Sequence, residues 1–315
     1  MTEKPKVVCL VGPTACRKTE VSIALAKRLK GEIVSADSVA VYRGLDIGSA
    51  KPTVAERDGI PHYMLDAADI TDTDFTVAVF REKARAAIED ILARSKLPII
   101  VGGSGLYADA IFSDMRFCAP SDPCVRAAIE KDYAIDAEAV FARLKQADAV
   151  TAARLHIHDA KRVIRALEVY EVSGKPFSAW NESFQKAQEA GETYDIRRIG
   201  LTMPRALLYD RIEKRVDRMM ESGLQQEAYD LFAKGLTPDR YTAMQSIGYA
   251  QLYDAYCGRC TVEDAVAKIK LDTRHFAKRQ MTWFRRNPKT VWFGILPNTD
   301  MTELLDQITE EINRR

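Results

Sequence analysis

Apolar residues in this chain fall into two kinds of stretch that alternate along its length. Short runs rich in branched side chains, at 7–11, 33–36, 97–101, 198–201 and 290–293, predict strands buried on both faces of a parallel sheet. Between them the apolar positions recur every three or four residues. Val21, Ala24, Leu25 and Leu29 share one face ahead of Gly31, and Phe80, Ala84, Ile88 and Ile91 share another within 77–92. Those spacings predict amphipathic helices. Strand and helix in alternation predict an α/β fold, a parallel sheet core covered by helices. Ligands of such sheets bind beyond the carboxyl ends of the strands, where Gly12 to Thr19, Asp37-Ser38 and Gly102 to Gly105 fall.

The sheet pattern stops after Phe112 and returns near residue 198. Pro120-Ser121-Asp122-Pro123 opens the intervening segment, and helical spacing follows at 125–133, 137–146 and 161–172, the last closed by Ser173-Gly174-Lys175-Pro176. We expect an inserted all-helical domain at 113–197, set into a core of 1–112 and 198–315 that carries a helical C-terminal part. Leu208, Ile212, Val216 and Met219 line one helix face after Pro204, and a long helical stretch over 261–286 precedes the last strand.

Length and charge narrow the picture only a little. The 315 residues suit about two domains. A net charge of +1 gives no global field, so any basic surface is local. No apolar run has membrane-spanning length, and Met1-Thr2-Glu3-Lys4-Pro5-Lys6 leads into a strand rather than a signal peptide, so no membrane association and a cytoplasmic location are expected. Six scattered cysteines fit a reducing compartment. Cys257-Gly258-Arg259-Cys260 is formally a C-x-x-C and Cys118 with Cys124 are conceivable partners, but a second C-x-x-C at zinc spacing is absent and His156-Ile157-His158 lacks a metal motif.

Candidate chemistry begins where the first strand ends. Gly12-Pro13-Thr14-Ala15-Cys16-Arg17-Lys18-Thr19 lies between a buried strand and an amphipathic helix, which is the layout of a P-loop. In such a loop backbone N–H groups and the helix N-terminus hold phosphate, Lys18 adds a point charge and Thr19 reaches a Mg²⁺. The alternative is a chance Lys-Thr after a turn. Arg17 stands where the motif has glycine, a residue that permits left-handed backbone. The strand at 97–101 ends in Gly102-Gly103-Ser104-Gly105 instead of the metal-organising Asp of motor and switch NTPases, and no Asn-Lys-x-Asp guanine signature occurs. That glycine-rich turn is either a second anion nest or a tight bend. Asp37, at the mouth of the second strand, is either a proton acceptor beside the phosphates or a turn residue. Basic residues cluster at 161–165, along 205–218 and over 274–286, the last interleaved with His275, Phe276, Trp283 and Phe284. A solvated face explains any one cluster, whereas aromatic interleaving favours stacking on unpaired RNA bases.

These segments together resemble the bacterial tRNA dimethylallyltransferases. The matching residues are Gly12-Pro13-Thr14-Ala15 with Lys18-Thr19, Ser35-Ala36-Asp37-Ser38 with Val41-Tyr42-Arg43-Gly44-Leu45-Asp46-Ile47-Gly48-Ser49-Ala50-Lys51-Pro52, and Pro61-His62 with Leu65-Asp66. They continue through Val101-Gly102-Gly103-Ser104-Gly105-Leu106-Tyr107, Arg162-Val163-Ile164-Arg165-Ala166-Leu167-Glu168-Val169-Tyr170, Ile247-Gly248-Tyr249 and the stretch from Thr273-Arg274 to Thr282-Trp283-Phe284-Arg285. Nearly the whole chain is covered.

The resemblance implies transfer of a dimethylallyl group from dimethylallyl diphosphate to the exocyclic amine of the adenosine just 3′ of the anticodon in tRNA, with Mg²⁺ as cofactor. It implies that Asp37 is the base, that Ser104 keeps the hydroxyl of a usual threonine, and that Arg215 contacts the diphosphate. It places RNA contacts at Asp37, Ser38, Val39, Ala40 and Ser104. Further contacts fall at Lys161, Arg162, Val163, Ile164 and Arg165, at Gln245, Ser246, Ile247, Gly248, Tyr249 and Ala250, and at Arg126. The helical insertion then contacts the anticodon stem-loop, and a monomer is expected. The chain departs from the family at Cys16-Arg17 and at His156-Ile157-His158-Asp159. Three other readings are an adenylate isopentenyltransferase, a small-molecule P-loop kinase with a helical lid, and a non-catalytic tRNA-binding protein whose P-loop has decayed.

Overall fold

The computed structural model describes residues 4–113, 122–180 and 193–314. Cys118, Pro120 and Ser121, singled out above, lie outside them, as do Met1-Thr2-Glu3. The chain divides into two compact units, Met1–Phe112 with Thr193–Arg315, and Ser113–Glu192.

The first unit is built on six strands: β1 (Lys6–Val11), β2 (Gly31–Ser35), β3 (His62–Tyr63), β4 (Leu97–Gly102), β5 (Asp195–Thr202) and β6 (Val291–Gly294). They lie in the order β3-β2-β4-β1-β5-β6 and every pairing is parallel. Its helices are α1 (Lys18–Leu29), α2 (Val54–Arg57), α3 (Val77–Ala93) and α4 (Gly105–Phe112). The second unit holds α5 (Pro123–Ile135), α6 (Ala137–Ala147), α7 (Ala149–Ala152) and α8 (Ala160–Ser173). The first unit resumes with α9 (Arg205–Glu221), α10 (Leu224–Ala233), α11 (Tyr249–Tyr256), α12 (Val262–Phe284) and α13 (Met301–Asn313).

The apolar run of β1 splits by strand alternation between two cores. Val7, Cys9 and Val11 pack with Phe80 and Ile88 of α3 and Ile111 of α4. Val8 and Leu10 pack with Val21 and Leu25 of α1, Ile212 of α9 and Ile308 of α13. The strand is covered on both faces, which is why it shows no polar alternation. The helical unit has a separate small core, in which Ile129, Val140, Leu144 and Val163 meet.

One strand starts earlier than expected and one was not expected at all. β5 begins at Asp195 rather than at 198, because Asp195, Arg197 and Arg198 disguise its first half. Arg197 is paired with Asp195 at 2.9 Å, and the Arg198 guanidinium stacks over Phe112. Tyr194 is already core, edge-on to Phe112 and donating to Glu89 at 2.6 Å, so the first unit resumes before residue 198. β3 has only two residues, too short for a periodic signal.

Candidate active site

The loops after β1, β2 and β4 meet at one end of the sheet, brought level by the pairing of Val11 with Gly102 and of Ser35 with Val101. Gly12 has φ +155°, and a Cβ there would stand 2.6 Å from the Leu201 carbonyl oxygen. Only glycine lets the loop turn this close to β5. Ala15 (φ +63°) and Arg17 (φ +67°) are both left-handed. The position where glycine was expected therefore keeps a glycine-like backbone with an arginine in it. The Arg17 guanidinium pairs with Glu20 at 2.6 and 2.7 Å.

Lys18 opens α1 and folds back over the loop, donating from Nζ to the carbonyls of Gly12 (2.9 Å) and Pro13 (2.7 Å). Thr19 follows it on the exposed side, one residue into the helix. The Cys16 thiol is buried 4.0 Å from the Lys18 ammonium, and burial pushes it above the ordinary thiol range, so it is a neutral filler. From α9, Arg215 donates to Thr14 Oγ1 at 3.2 Å and Arg211 donates to the Ala15 carbonyl at 2.9 Å. Burial pulls both Lys18 and Arg215 below their ordinary values, with Asp37 opposing the fall in each case. Two partly desolvated cations next to one loop make a site that gains most from an anion.

Asp37 stands immediately after β2. Its Oδ1 accepts the N–H groups of Val39 (2.8 Å) and Ala40 (3.1 Å), so this aspartate acts as a turn residue. Ser104 is fastened to the same turn: its Oγ accepts from Ser38 N at 3.0 Å and donates to Ser38 Oγ at 3.0 Å. The Ser104 N–H reaches the Ala36 carbonyl at 3.3 Å. Gly102 is pressed so tightly on Ala36 that a Cβ would fall 2.0 Å from its carbonyl oxygen. Tyr107, next on α4 and packed on Phe80, has its phenol pushed up by burial, with Tyr42 and then the charge of Asp37 adding to the rise. Asp37, Ser38, Ser104, Lys18, Arg215 and the loop from Gly12 to Thr19 thus form one constellation.

The remaining expected residues sit elsewhere and divide by environment. Tyr249 is fully buried, its ring against Gly48, where an added Cβ would lie 2.6 Å from it. Its hydroxyl donates to Glu227 at 2.6 Å, and Glu227 also accepts the N–H groups of Asp46, Ile47 and Gly48. Ile247 packs on the same core, Gly248 donates its N–H to Gln251, and Ala250 lies within α11. Gln245 is exposed and Ser246 half-buried, so this segment offers polar groups at its start and structure at its end. In the helical unit Val163 and Ile164 are core. Arg126 and Arg165 both bind the fully buried Glu168 at 2.8 Å. Lys161 and Arg162 are exposed, the latter loosely paired with Asp159 at 3.0 Å. An RNA contact through side chains is therefore open to Lys161 and Arg162, not to Val163 and Ile164.

Sequence reasoning assigns no role to Gln280 of α12 and takes Trp283 only as one of the aromatics interleaved with the basic cluster, yet both reach the site. Gln280 is 4 % exposed and bridges Thr14 to Gly103. The Trp283 ring covers Gly105 and its Nε1 donates to Asp109 at 2.8 Å. The available signal was a polar residue on the stripe Ala277, Gln280, Phe284, which is otherwise apolar. In the C-terminal basic cluster Arg274 is neutralised by Glu213, whereas Arg279 and Arg286 keep their charge and lie over the Phe276 and Trp283 rings. Cys257 and Cys260 are free thiols, and among the described residues no group of three His, Cys, Asp or Glu is placed to hold a metal. No helix among the described residues is long and apolar enough to cross a membrane.

A parallel sheet, a glycine-turned loop carrying Lys-Thr into a helix, and a carboxylate beyond the end of a strand two places along the sheet define a P-loop α/β protein. A family model described as IPP transferase matches residues 40–287. The chain belongs to that family. It is 46% identical over 297 residues to a tRNA dimethylallyltransferase of Geobacillus thermodenitrificans, covering 94% of this chain and 91% of that protein. The crystal structure of a tRNA isopentenylpyrophosphate transferase from Staphylococcus epidermidis has a TM-score of 0.72 at 38% identity, covering 99% of this chain and all of that one. A eukaryotic dimethylallyltransferase acting on tRNA has a TM-score of 0.75 at 28% identity, over 92% of this chain and 74% of that one.

Proposed function

We propose that this chain is a tRNA dimethylallyltransferase: it moves a dimethylallyl group from dimethylallyl diphosphate to the exocyclic amine of the adenosine 3′-adjacent to the anticodon. The observation that carries the reading is that Lys18 and Arg215 both bind the loop after β1, at the end of the sheet where Asp37 leaves β2 and its charge acts on both: two cations for a leaving diphosphate and a carboxylate for a proton. The amine nitrogen bonds to the allylic carbon, the carbon–oxygen bond to diphosphate breaks, and the amine proton passes to Asp37. Because the amine lone pair is delocalised into adenine, removing its proton as the bond forms lowers the barrier, by about 10²–10⁴-fold for a well-placed base. Lys18, Arg215 and loop N–H groups stabilise the charge that develops on the departing oxygen. Ser104 is tied through its hydroxyl to Ser38, the residue that follows Asp37. The adenine must leave its stack to reach this site.

A Mg²⁺ would be held by diphosphate oxygens, water and the Thr19 hydroxyl. One hydroxyl, with no metal-holding cluster of His, Cys, Asp or Glu among the described residues, suits an ion that would keep most of its shell from phosphate and water. When bound, the ion adds positive charge at the leaving group. RNA contacts fall to Lys161 and Arg162 in the helical unit, and to Asp37, Ser38 and Ser104 in the other. The cytoplasm, where tRNA is modified, is the proposed location. Among the alternatives, a decayed P-loop is disfavoured because Arg17 preserves the left-handed turn.

Single-turnover incubation of unmodified tRNA with radiolabelled dimethylallyl diphosphate tests the reading. Label is expected on adenosine with release of diphosphate. Label on free adenosine monophosphate but not on tRNA, or phosphoryl transfer from ATP, overturns it.

A further inference from the structure

One buried polar side chain at this site has no part in the chemistry above. Gln280 lies on the buried face of α12, between Ala277 and Phe284. Its carboxamide is used at both ends: Oε1 accepts the Thr14 N–H at 2.8 Å, and Nε2 donates to the Gly103 carbonyl at 2.9 Å. Those partners belong to two different loops, the one after β1 that carries Lys18 and the one after β4 that carries Ser104. Thr14 is held a second time through Oγ1 by Arg215. At Gly103 a Cβ would lie 2.3 Å from Gln280 Nε2 and 3.9 Å from Lys18 Nζ, so the amide is wedged against the phosphate loop.

We propose that Gln280 is a positioning residue that sets the spacing between the diphosphate loop and the Ser104 loop. The proposal rests on the reading that the first loop holds diphosphate. A carboxamide presents an uncharged acceptor and donor side by side at every physiological pH. A carboxylate of the same size presents two acceptors, one of which would face the Gly103 carbonyl oxygen. Protonated, it would again supply a donor. Charged and titratable groups on the elements that meet here include Lys18 of α1, the Cys16 thiol, Arg215 and Arg211 of α9, Asp37 after β2, Asp109 of α4, and Lys278 and Arg279 on its own helix.

The test compares wild type, Gln280→Glu and Gln280→Met. Inorganic diphosphate with Mg²⁺ is titrated calorimetrically from about pH 5.5 to about pH 8.5, each variant referred to wild type at the same pH. Thermal denaturation at each pH confirms the folded state. For Gln280→Glu, Kd is expected near the wild-type value at the lowest pH and weaker by about 10-fold or more at the highest, as the buried acid ionises. Gln280→Met is expected to be weaker by a similar factor at every pH, with no trend. A merely structural role lowers the melting temperature of both variants and leaves a Gln280→Glu ratio that does not move with pH. That flat ratio overturns the proposal, as does wild-type affinity in Gln280→Met. The two failures are separable: a protein that binds diphosphate but prenylates no tRNA sinks the functional reading, and the pH ratio still decides the role of Gln280.

Discussion

Asp37 and Arg17 show what individual positions at this site are asked to do. Asp37 holds its turn through one carboxylate oxygen, and an asparagine oxygen can accept the same two N–H groups. Asp37→Asn should therefore keep the turn and lose only the proton acceptor. Single-turnover transfer is expected to fall by about 10²–10⁴-fold while dimethylallyl diphosphate affinity stays within about threefold. A near-normal rate would mean that the amine proton leaves by another route. At Arg17 several effects oppose one another. Glycine would relieve a left-handed backbone worth about 1 kcal/mol, but would loosen the unfolded chain by a similar amount and remove a partly exposed ion pair worth about 0–1 kcal/mol. Arg17→Gly is expected to melt within about 3 °C of wild type and to keep its turnover. A large gain in turnover would instead mark the loop as damaged by the arginine.

Among the elements, the sheet edge depends on one buried acid. Glu32 of β2 accepts two hydrogen bonds from Arg94, at the end of α3, at 2.6 and 2.8 Å, and one from Tyr63 of β3 at 3.0 Å. It thereby ties the two-residue strand and a helix terminus to the sheet. Hydrogen bonding by Arg94 holds its carboxyl below the ordinary value of 4.5. A carboxyl depressed in the folded state adds stability that is fully present above the unfolded value and is lost as pH falls through the folded one. Glu32→Gln should lower the melting temperature at neutral pH, and the gap to wild type should close as the solution is taken below about pH 4.5. Thermal melts across that range check it; a gap that persists at low pH would show that the charge contributes little. Glu227 ties another pair of elements, gathering the turn at Asp46–Gly48 onto α10 and, through Tyr249, onto α11. This explains why a segment matched to the family for RNA contact contains a core tyrosine.

Across the whole molecule, a net charge of +1 means that tRNA affinity depends on local cations. In the helical unit the five residues 161–165 split sharply. Lys161 and Arg162 face solvent, whereas Arg165 shares the buried Glu168 with Arg126. Lys161→Ala with Arg162→Ala should weaken tRNA binding, with dimethylallyl diphosphate affinity unchanged. The slope of log affinity against log salt should fall by about one unit for each phosphate that is no longer neutralised. Arg165→Ala should instead lower the stability of the helical unit, because removing one partner leaves a buried carboxylate short of hydrogen bonds. Filter binding over a salt series separates the two; an unchanged slope in the double variant would move the RNA-binding surface off α8.

The α/β alternation, the helical insertion and the P-loop were legible in the sequence because each leaves a local signature. An apolar run, a 3.6-residue period and a strand–glycine–Lys-Thr–helix order are all readable within about 20 residues. The strand-end pattern singled out Asp37 and the turn that holds Ser104, the family resemblance assigned roles to them and to Arg215, and the structure gathers all three around Lys18 and the loop from Gly12. What only the tertiary structure decided is which polar groups meet across long separations. Gln280 reaches Thr14 across 266 positions, and Arg215 reaches it across 201. No periodicity records such a meeting, because it is created when helices distant in sequence dock on the ends of strands. The same reason divides Lys161 from Arg165: adjacent turns of one helix read alike as charge, and only packing determines which cation faces water and which is spent on a buried acid.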